Sequence, residues 1–373
     1  MKPVRGPAKK VSAGAEGRRV PEPDEILALL RAEGTQAEAG RVPTREEIVA
    51  LLTAGDADTD ALYRAADAVR AGHVGDTVHL RAIIEFSNHC VQNCLYCGLR
   101  RNNRRLFRYR MSPDEIFAAA AVARDQGYRT VVLQSGEDPG YPTSELARLV
   151  HRLKDQLDVA VTLSVGELPR VVYRELRTAG ADRYLLKHET ADPALFARLR
   201  PGTTLAGRLE KLVWLRELGY QVGSGNMVGL PGQTVESLAA DVILLRELEV
   251  EMAGIGPFIP HPDTPLAGAP PGPLELTLDV LAVTRLVLPR AHLPATTAMS
   301  VLHPEGRQRA LACGANVVMP DLTPEPYRRH YEIYPGRTAA PVGAPRSFAA
   351  WRETLAGLGR PVDSGYGHGP GRN

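Results

Sequence analysis

The central part of the chain alternates short apolar runs with amphipathic stretches, a pattern typical of a parallel sheet covered by helices. The apolar runs that predict strands begin near residue 79 and continue to about residue 319. These predicted strands are His79–Phe86, Thr130–Gln134, Ala160–Ser164, Arg183–Leu186, Gln221–Val228, Met252–Ile255, Ala295–Thr297 and Val317–Met319. Eight strand–helix units in roughly 240 residues predict an α/β fold, a (β/α)₈ barrel of TIM type, whose chemistry lies on the loops that follow the strands.

Local signals mark where helices begin and how the chain divides. Ser112 before Pro113 and Thr234 before Val235 are helix caps, and Thr44 with Glu47 is a capping-box pair. The first residues are rich in Gly, Ala, Pro and basic side chains and lack periodicity, which favours disorder. The predicted divisions are a disordered leader over 1–22, a helical extension over 23–75, the barrel over 76–322, and a closing segment and tail over 323–373.

Composition narrows the class of protein. The chain has 373 residues, 44% of them hydrophobic, enough for one large α/β domain or two ordinary ones. Its 45 basic and 43 acidic residues leave a net charge of +2, which gives no general case for a nucleic-acid or membrane partner. No secretory signal and no membrane-spanning run is recognisable, so we expect a cytoplasmic protein.

Three of the four cysteines lie together after the first predicted strand. Cys90, Cys94 and Cys97 form C-x₃-C-x₂-C, and three thiolates can hold three irons of a [4Fe–4S] cubane while the fourth iron keeps an open position. A zinc ion would need a fourth ligand, and His89 is poorly placed beside Cys90. On spacing alone, zinc or three unrelated buried thiols remain alternatives. Cys313 stands alone on a later predicted helix, and we expect it to be a small buried residue rather than a ligand.

The cysteine motif, with Tyr96 before its last cysteine, resembles the signature of the radical S-adenosylmethionine (SAM) superfamily. Longer blocks over about residues 44 to 338 resemble the HydE family of [FeFe]-hydrogenase maturases. These blocks are Phe86–Asn88, Gly98–Arg101, Tyr109–Met111, Leu133–Pro139, Ala181–Thr190, Met227–Thr234, Gly256–Leu266 and Pro294–Met299. The resemblance implies reductive cleavage of SAM by one [4Fe–4S] cluster, in the service of H-cluster assembly.

The resemblance also implies roles for particular residues around the cofactors. Cys90, Cys94 and Cys97 would hold the cluster, and Arg208 would bind the SAM carboxylate, for which a planar guanidinium is suited. Without the resemblance, Arg208 would be interpreted as a solvent-exposed charge on a helix, and Glu137 as a residue that caps or turns its loop. The residues implied to contact SAM are Tyr96, Ser135, Gly136, Glu137, Glu189, Arg208 and Met227.

A second set of residues matches positions that line the family's cavity around a small anion. Each of these residues also has a purely structural interpretation. Thr296 and Thr297 are ordinary strand formers, Met319 is a core residue, and the two tyrosines, Tyr331 and Tyr334, are packing residues whose hydroxyls reach solvent. Lys187 stands where the family has arginine, which keeps the charge but loses the bidentate geometry. The predicted cavity residues are Arg183, Lys187, Thr296, Thr297, Met319, Tyr331 and Tyr334.

The expected partners follow from the same resemblance. They are a small organometallic or amino-acid-derived substrate, a reductant protein of ferredoxin or flavodoxin type, and other hydrogenase maturases. No cysteine follows Tyr334, so one cluster per chain is expected. The alternatives are a methylornithine synthase-like or biotin synthase-like enzyme, or a non-catalytic iron–sulfur carrier.

Overall fold

The computed structural model of the protein describes residues 22–23, 25–27, 43–337 and 347–369. The predicted leader therefore lies outside the described residues, except for residue 22. After it come two helices of the predicted extension, α1 (Arg45–Leu52) and α2 (Asp56–Val74). The capping box of Thr44 and Glu47 is present at the start of α1, as predicted. The two helices pack against a long helix of the barrel's outer layer.

Strands and helices then alternate, as the apolar pattern predicts. In chain order the elements are β1 (His79–Leu80), β2 (Ala82–Ser87), α3 (Pro113–Gln126), β3 (Thr130–Ser135), α4 (Thr143–Leu157), β4 (Ala160–Ser164), α5 (Arg170–Thr178), β5 (Arg183–Leu185), α6 (Pro193–Leu199), α7 (Leu205–Glu217), β6 (Gln221–Ser224), β7 (Met227–Val228), α8 (Val235–Glu247), β8 (Met252–Ala253), β9 (Gly256–Pro257), α9 (Leu274–Val287), α10 (Thr297–Leu302), α11 (Gly306–Ala312), β10 (Val317–Val318), α12 (Glu325–Arg328) and α13 (Phe348–Gly357).

Six parallel strands form the central sheet in the order β2-β3-β4-β5-β6-β8. Single bridges extend it from Met252 to His292 and from Pro294 to Val317, and β10 pairs with β1. A further bridge from Ile83 to Asp321 joins the end of this series to β2. Together these pairings close the sheet into a ring. This ring is the barrel that the pattern of eight strand–helix units predicts.

Two predicted strands differ from the structure. The seventh was expected over Ala295–Thr297, but only bridges at His292 and Pro294 form this part of the ring, and Thr297 already begins α10. The fifth was expected to run from Gln221 to Val228. It ends at Ser224 because Gly225, with φ of 156°, turns the chain away, and β7 pairs with β9 instead.

The C-terminal tail covers the end of the barrel where the strands begin. Val362 bridges to Val78 just before β1. Two buried arginines donate to tail carbonyls, Arg81 to Gly367 at 3.0 Å and Arg183 to Tyr366 at 2.6 Å. The barrel is thus closed at this end, and the opposite end, where the strands finish, holds the open cavity.

Candidate active site at the carboxyl ends of the strands

One cavity of about 340 Å³ opens at the carboxyl ends of the barrel strands. This volume lies within the range of ordinary small-molecule sites. The cavity brings together every predicted site residue except Arg183. Those that line it are Cys90, Cys94, Tyr96, Cys97, Ser135, Gly136, Glu137, Lys187, Glu189, Arg208, Met227, Thr296, Thr297, Met319, Tyr331 and Tyr334.

Arg183 lies at the other end of the barrel, so its expected place in the cavity lining is wrong. It is the first residue of β5, and the first residues of parallel strands face the closed end of a barrel. Its guanidinium is held there by the carbonyl of Tyr366 and lies 2.8 Å from Nδ1 of His368. Arg183 therefore anchors the tail.

The loop that carries the cysteines follows β2 and is held by two polar side chains. Asn88 donates to the carbonyls of Phe107 and His330, both at 2.7 Å, and its Oδ1 accepts from a backbone amide. Arg108 donates to four carbonyls of the loop and the residues after it, which belong to Asn88, Leu99, Arg100 and Asn103. These bonds fix the loop's backbone and leave its thiols free to bind a ligand.

The three thiols fit an iron–sulfur cubane better than a single metal ion. None of them is in a disulfide, and burial raises the pKa of each. Within the described ranges, no three His, Cys, Asp or Glu side chains converge on one metal position. Cubane thiolates bind different irons and need no common point, whereas a zinc ion would. Cys313 lies apart, fully buried at the end of α11, as predicted.

Gly136 allows the loop after β3 to pack directly on the cysteine loop. A Cβ at this position would lie 2.2 Å from the His89 carbonyl oxygen and 2.8 Å from the Cys90 Cβ. The next residue continues the contact, because the carbonyl of Glu137 accepts from the amide of Val91 at 2.9 Å. Only glycine fits this close approach.

A buried group of charges lies beside the cysteines, and Arg208 is part of it. Its Nε is 2.8 Å from Glu167, whose other oxygen is 3.0 Å from Lys211. Burial opposes ionisation of Glu167, but Arg208, Lys211 and Arg200 lower its pKa overall. Arg208 is 3% exposed and its Nη2 has no hydrogen-bond partner. The reading of Arg208 as a solvated helix charge is therefore wrong.

Arg200, which was not among the predicted site residues, lies at the centre of the same group. Its Nη1 is 3.2 Å from the Cys94 sulfur and 3.1 Å from the Tyr96 hydroxyl, and its Nη2 is 3.4 Å from Glu137. Arg200 follows the last residue of α6 and stands before a Pro-Gly turn, so its sequence neighbours give no sign of this role.

Glu189 has a strained backbone at the edge of the cavity. Its φ is 68°, a conformation that residues other than glycine rarely adopt, and such strain is concentrated at functional sites. It is held by backbone bonds to Gly225 and Met227. The preceding His188 is fully buried and lies 3.3 Å from Asp241. This anchor holds the Lys187-His188-Glu189 segment in place.

One cationic side chain, Lys187, lines the cavity, and a second, Arg307, lies behind the lining residue Thr297. Burial lowers the pKa of Lys187, although Glu189 and Asp241 oppose this, and burial lowers the pKa of Arg307 to about 10. Arg307 donates to the Thr297 hydroxyl at 2.8 Å rather than to a carboxylate. The Oγ1 of Thr296 is buried and has no partner. The arrangement offers the Lys187 ammonium and the free Thr296 hydroxyl to a compact anion.

Tyr331 and Tyr334 belong to the closing segment, which packs against the cysteine loop, because the amide of Gly98 donates to the carbonyl of Ile333 at 3.0 Å. Tyr331 is 1% exposed, and Arg337 lies 5.4 Å above its ring. Arg337 is in turn paired with the fully buried Glu85 on β2. The closing segment is thus fixed to the barrel wall by a buried ion pair.

Comparisons with known proteins agree with one another. Residues 84–245 match the sequence model of the Radical SAM superfamily. The [FeFe] hydrogenase maturase subunit HydE of Thermotoga maritima is 55% identical over 278 residues, which are 74% of this chain and 80% of that protein. A 3-methylornithine synthase of Methanosarcina acetivorans is 28% identical over 263 residues, 70% of this chain and 74% of its own length. The crystal structure of methylornithine synthase (PylB) superposes with a TM-score of 0.79 and 25% identity, covering 92% of this chain and 97% of that one.

Proposed function

Because the chain belongs to the HydE family of the radical SAM superfamily, we propose that its barrel cavity binds SAM and a small anion for [FeFe]-hydrogenase maturation. As a radical SAM enzyme of HydE type, the chain uses a [4Fe–4S] cluster and SAM. One observation supports this assignment of the site. A single cavity is lined by three thiols, by Gly136, which packs closely on the cysteine loop, and by the buried Arg208.

Cys90, Cys94 and Cys97 are the proposed cluster ligands. A [4Fe–4S] cluster held by these three thiolates would supply one electron for the reductive cleavage of SAM. The protein's part is to bind, orient and exclude side reactions. Arg200, 3.2 Å from the Cys94 sulfur, offers a positive charge beside the thiolates.

The proposed contacts with SAM use the groups beside the cysteines. The unpartnered Nη2 of Arg208 suits the carboxylate, since a buried charge-assisted hydrogen bond is among the stronger ones. The backbone of Ser135 to Glu137 offers carbonyls to the ammonium, and Glu189 offers a carboxylate. Tyr96 and Met227 line the same wall and suit the adenosyl portion.

The proposed substrate is a compact anion bound beside Lys187, Thr296 and Thr297. Lys187 supplies positive charge to the cavity, the two threonines supply hydroxyls, and Arg307 adds charge from behind Thr297. Met319, Tyr331 and Tyr334 line the same cavity and exclude solvent from the substrate position. The chemistry suits a small organometallic or amino-acid-derived substrate. An electron-carrier protein and other hydrogenase maturases are the proposed partners.

None of the helices within the described ranges has the length and apolar character of a membrane span.

The direct test is SAM cleavage by anaerobically reconstituted protein. With dithionite as reductant we expect 5′-deoxyadenosine to form, whereas a cluster carrier would form none. Cys94→Ala should lose both the bound iron and the cleavage activity. Cys313→Ala is the matched control, because this thiol is fully buried elsewhere, and it should keep both. Cleavage retained in Cys94→Ala would contradict the ligand assignment.

A further inference from the structure

The segment around and after the cysteines has an unusual charge. From Phe86 to Pro113 it contains six arginines and no aspartate or glutamate, although the whole chain is nearly balanced with 45 basic and 43 acidic residues. Basic side chains in such an excess produce a positive potential, which attracts acidic partners.

Several of these arginines have structural roles inside the protein. Arg108 binds four backbone carbonyls, as described above, and is only partly exposed. Arg110 pairs with Asp138 at 2.6 Å, and Arg105 pairs with Asp263 at 2.8 Å. Their charges are therefore neutralised or engaged.

Arg101 and Arg104 are different, because both are exposed and neither forms an ion pair with another described residue. Arg329, from the closing segment, is also exposed, and the group it contacts is the neighbouring His330 at 3.1 Å. No ion pair with a described residue neutralises these three guanidinium groups.

A large aromatic side chain accompanies these charges. Phe107 is 64% exposed, and its ring lies 4.6 Å from that of His330. An exposed aromatic residue beside arginines is typical of the central contacts of protein interfaces. We call Arg101, Arg104, Phe107 and Arg329 the basic face.

The basic face is hydrogen-bonded to the loop that carries the proposed cluster ligands. The backbone amide of Arg101 donates to the carbonyl of Gln92 at 2.7 Å, between Cys90 and Cys94. The carbonyl of His330 accepts from Asn88, which holds the start of the same loop. The exposed face is thus attached to the same loop whose cysteines line the cavity.

We propose that the basic face is the docking surface for a small acidic ferredoxin that reduces the enzyme. The proposal rests on the function proposed above. One electron passes from the ferredoxin cluster, which is oxidised, to the cluster of this enzyme, which is reduced; no bond is made or broken and no proton moves.

The test measures electron transfer from ferredoxin separately from SAM cleavage. Purified acidic bacterial ferredoxin is reduced, freed of excess reductant and mixed with the reconstituted enzyme in an anaerobic stopped-flow instrument. For Arg101→Glu/Arg104→Glu we expect the second-order rate constant at low salt to fall at least about ten-fold, because steering by complementary charge accelerates association by 10- to 1000-fold. The wild-type rate should fall with added salt, and the variant rate should not.

Two controls separate the outcomes. Arg148→Glu/Arg174→Glu changes two exposed arginines on α4 and α5 and should leave the ferredoxin rate unchanged. Dithionite-driven release of 5′-deoxyadenosine should be the same in all variants. If the wild-type protein itself released none with dithionite, the proposed function would fail, independently of docking.

Arg329→Glu tests the same face from a segment outside the cysteine loop. It should lower the ferredoxin rate by several-fold without affecting cluster content. If this variant and Arg101→Glu/Arg104→Glu both react with ferredoxin at the wild-type rate, or if the control pair slows it equally, the docking proposal is overturned.

Discussion

The removal of one guanidinium gives the sharpest test of the cofactor site. Arg208→Ala deletes a side chain that is 3% exposed, with one nitrogen 2.8 Å from Glu167 and another, Nη2, without a partner. If Nη2 binds the SAM carboxylate, a charge-assisted hydrogen bond of about 1.5–3 kcal/mol is lost. This corresponds to a roughly 10- to 150-fold weaker Kd for SAM.

The variant should still fold and hold its cluster. Glu167 keeps Lys211 at 3.0 Å, and Arg200 is 4.0 Å away, so its buried charge is not left alone. Arg208→Lys should lose less affinity, because the charge remains while the planar fork is lost.

The assay is anaerobic titration calorimetry with three ligands. SAM and S-adenosylhomocysteine both carry the amino-acid carboxylate and should lose affinity alike, whereas 5′-methylthioadenosine lacks it and should bind as it does to the wild type. An unchanged Kd for SAM, or an equal loss for all three ligands, would refute the role of Arg208.

Three further predictions concern stability and the cysteine loop. Burial raises the pKa of Asp279 to about 6 despite its hydrogen bond from Tyr63, so its ionisation costs folding energy as the pH rises from about 4 to 6. Asp279→Asn should therefore stabilise the protein at pH 7 by at most about 3 kcal/mol and by nearly nothing below pH 4, measured by urea unfolding; equal stability at pH 7 would contradict this. Gly136→Ala should displace the cysteine loop, because the new Cβ would lie 2.2 Å from the His89 carbonyl oxygen, and should lower the iron bound after reconstitution, whereas wild-type iron content would show that the loop tolerates it. Deletion of residues 361–373 should lower the thermal midpoint by several degrees, since two buried arginines lose carbonyl acceptors worth about 1–3 kcal/mol each, and an unchanged midpoint would show that the tail is dispensable.

Much of the architecture could be predicted because its causes are local in the sequence. The alternation of apolar runs and amphipathic helices predicted the barrel, and helix caps such as Ser112 and Thr234 were predicted because a cap bonds to an amide within three residues. The cysteine spacing predicted three thiols on one loop for the same reason. The seventh strand was misplaced because its ring position consists of single bridges, which leave little periodic signal.

The chemistry around the cysteines depended on contacts between distant residues. Arg200 reaches Cys94 across 106 positions, and Arg208 becomes buried only when α7 packs beside Glu167. Arg183 was assigned to the cavity by resemblance, but its position at the first residue of β5 directs it to the closed end. Sequence by itself determined which elements form and which ligands are offered, since these follow from short-range periodicity and spacing. Only the tertiary structure decided which charges meet, because pairing depends on strand direction and on packing between segments far apart in the chain.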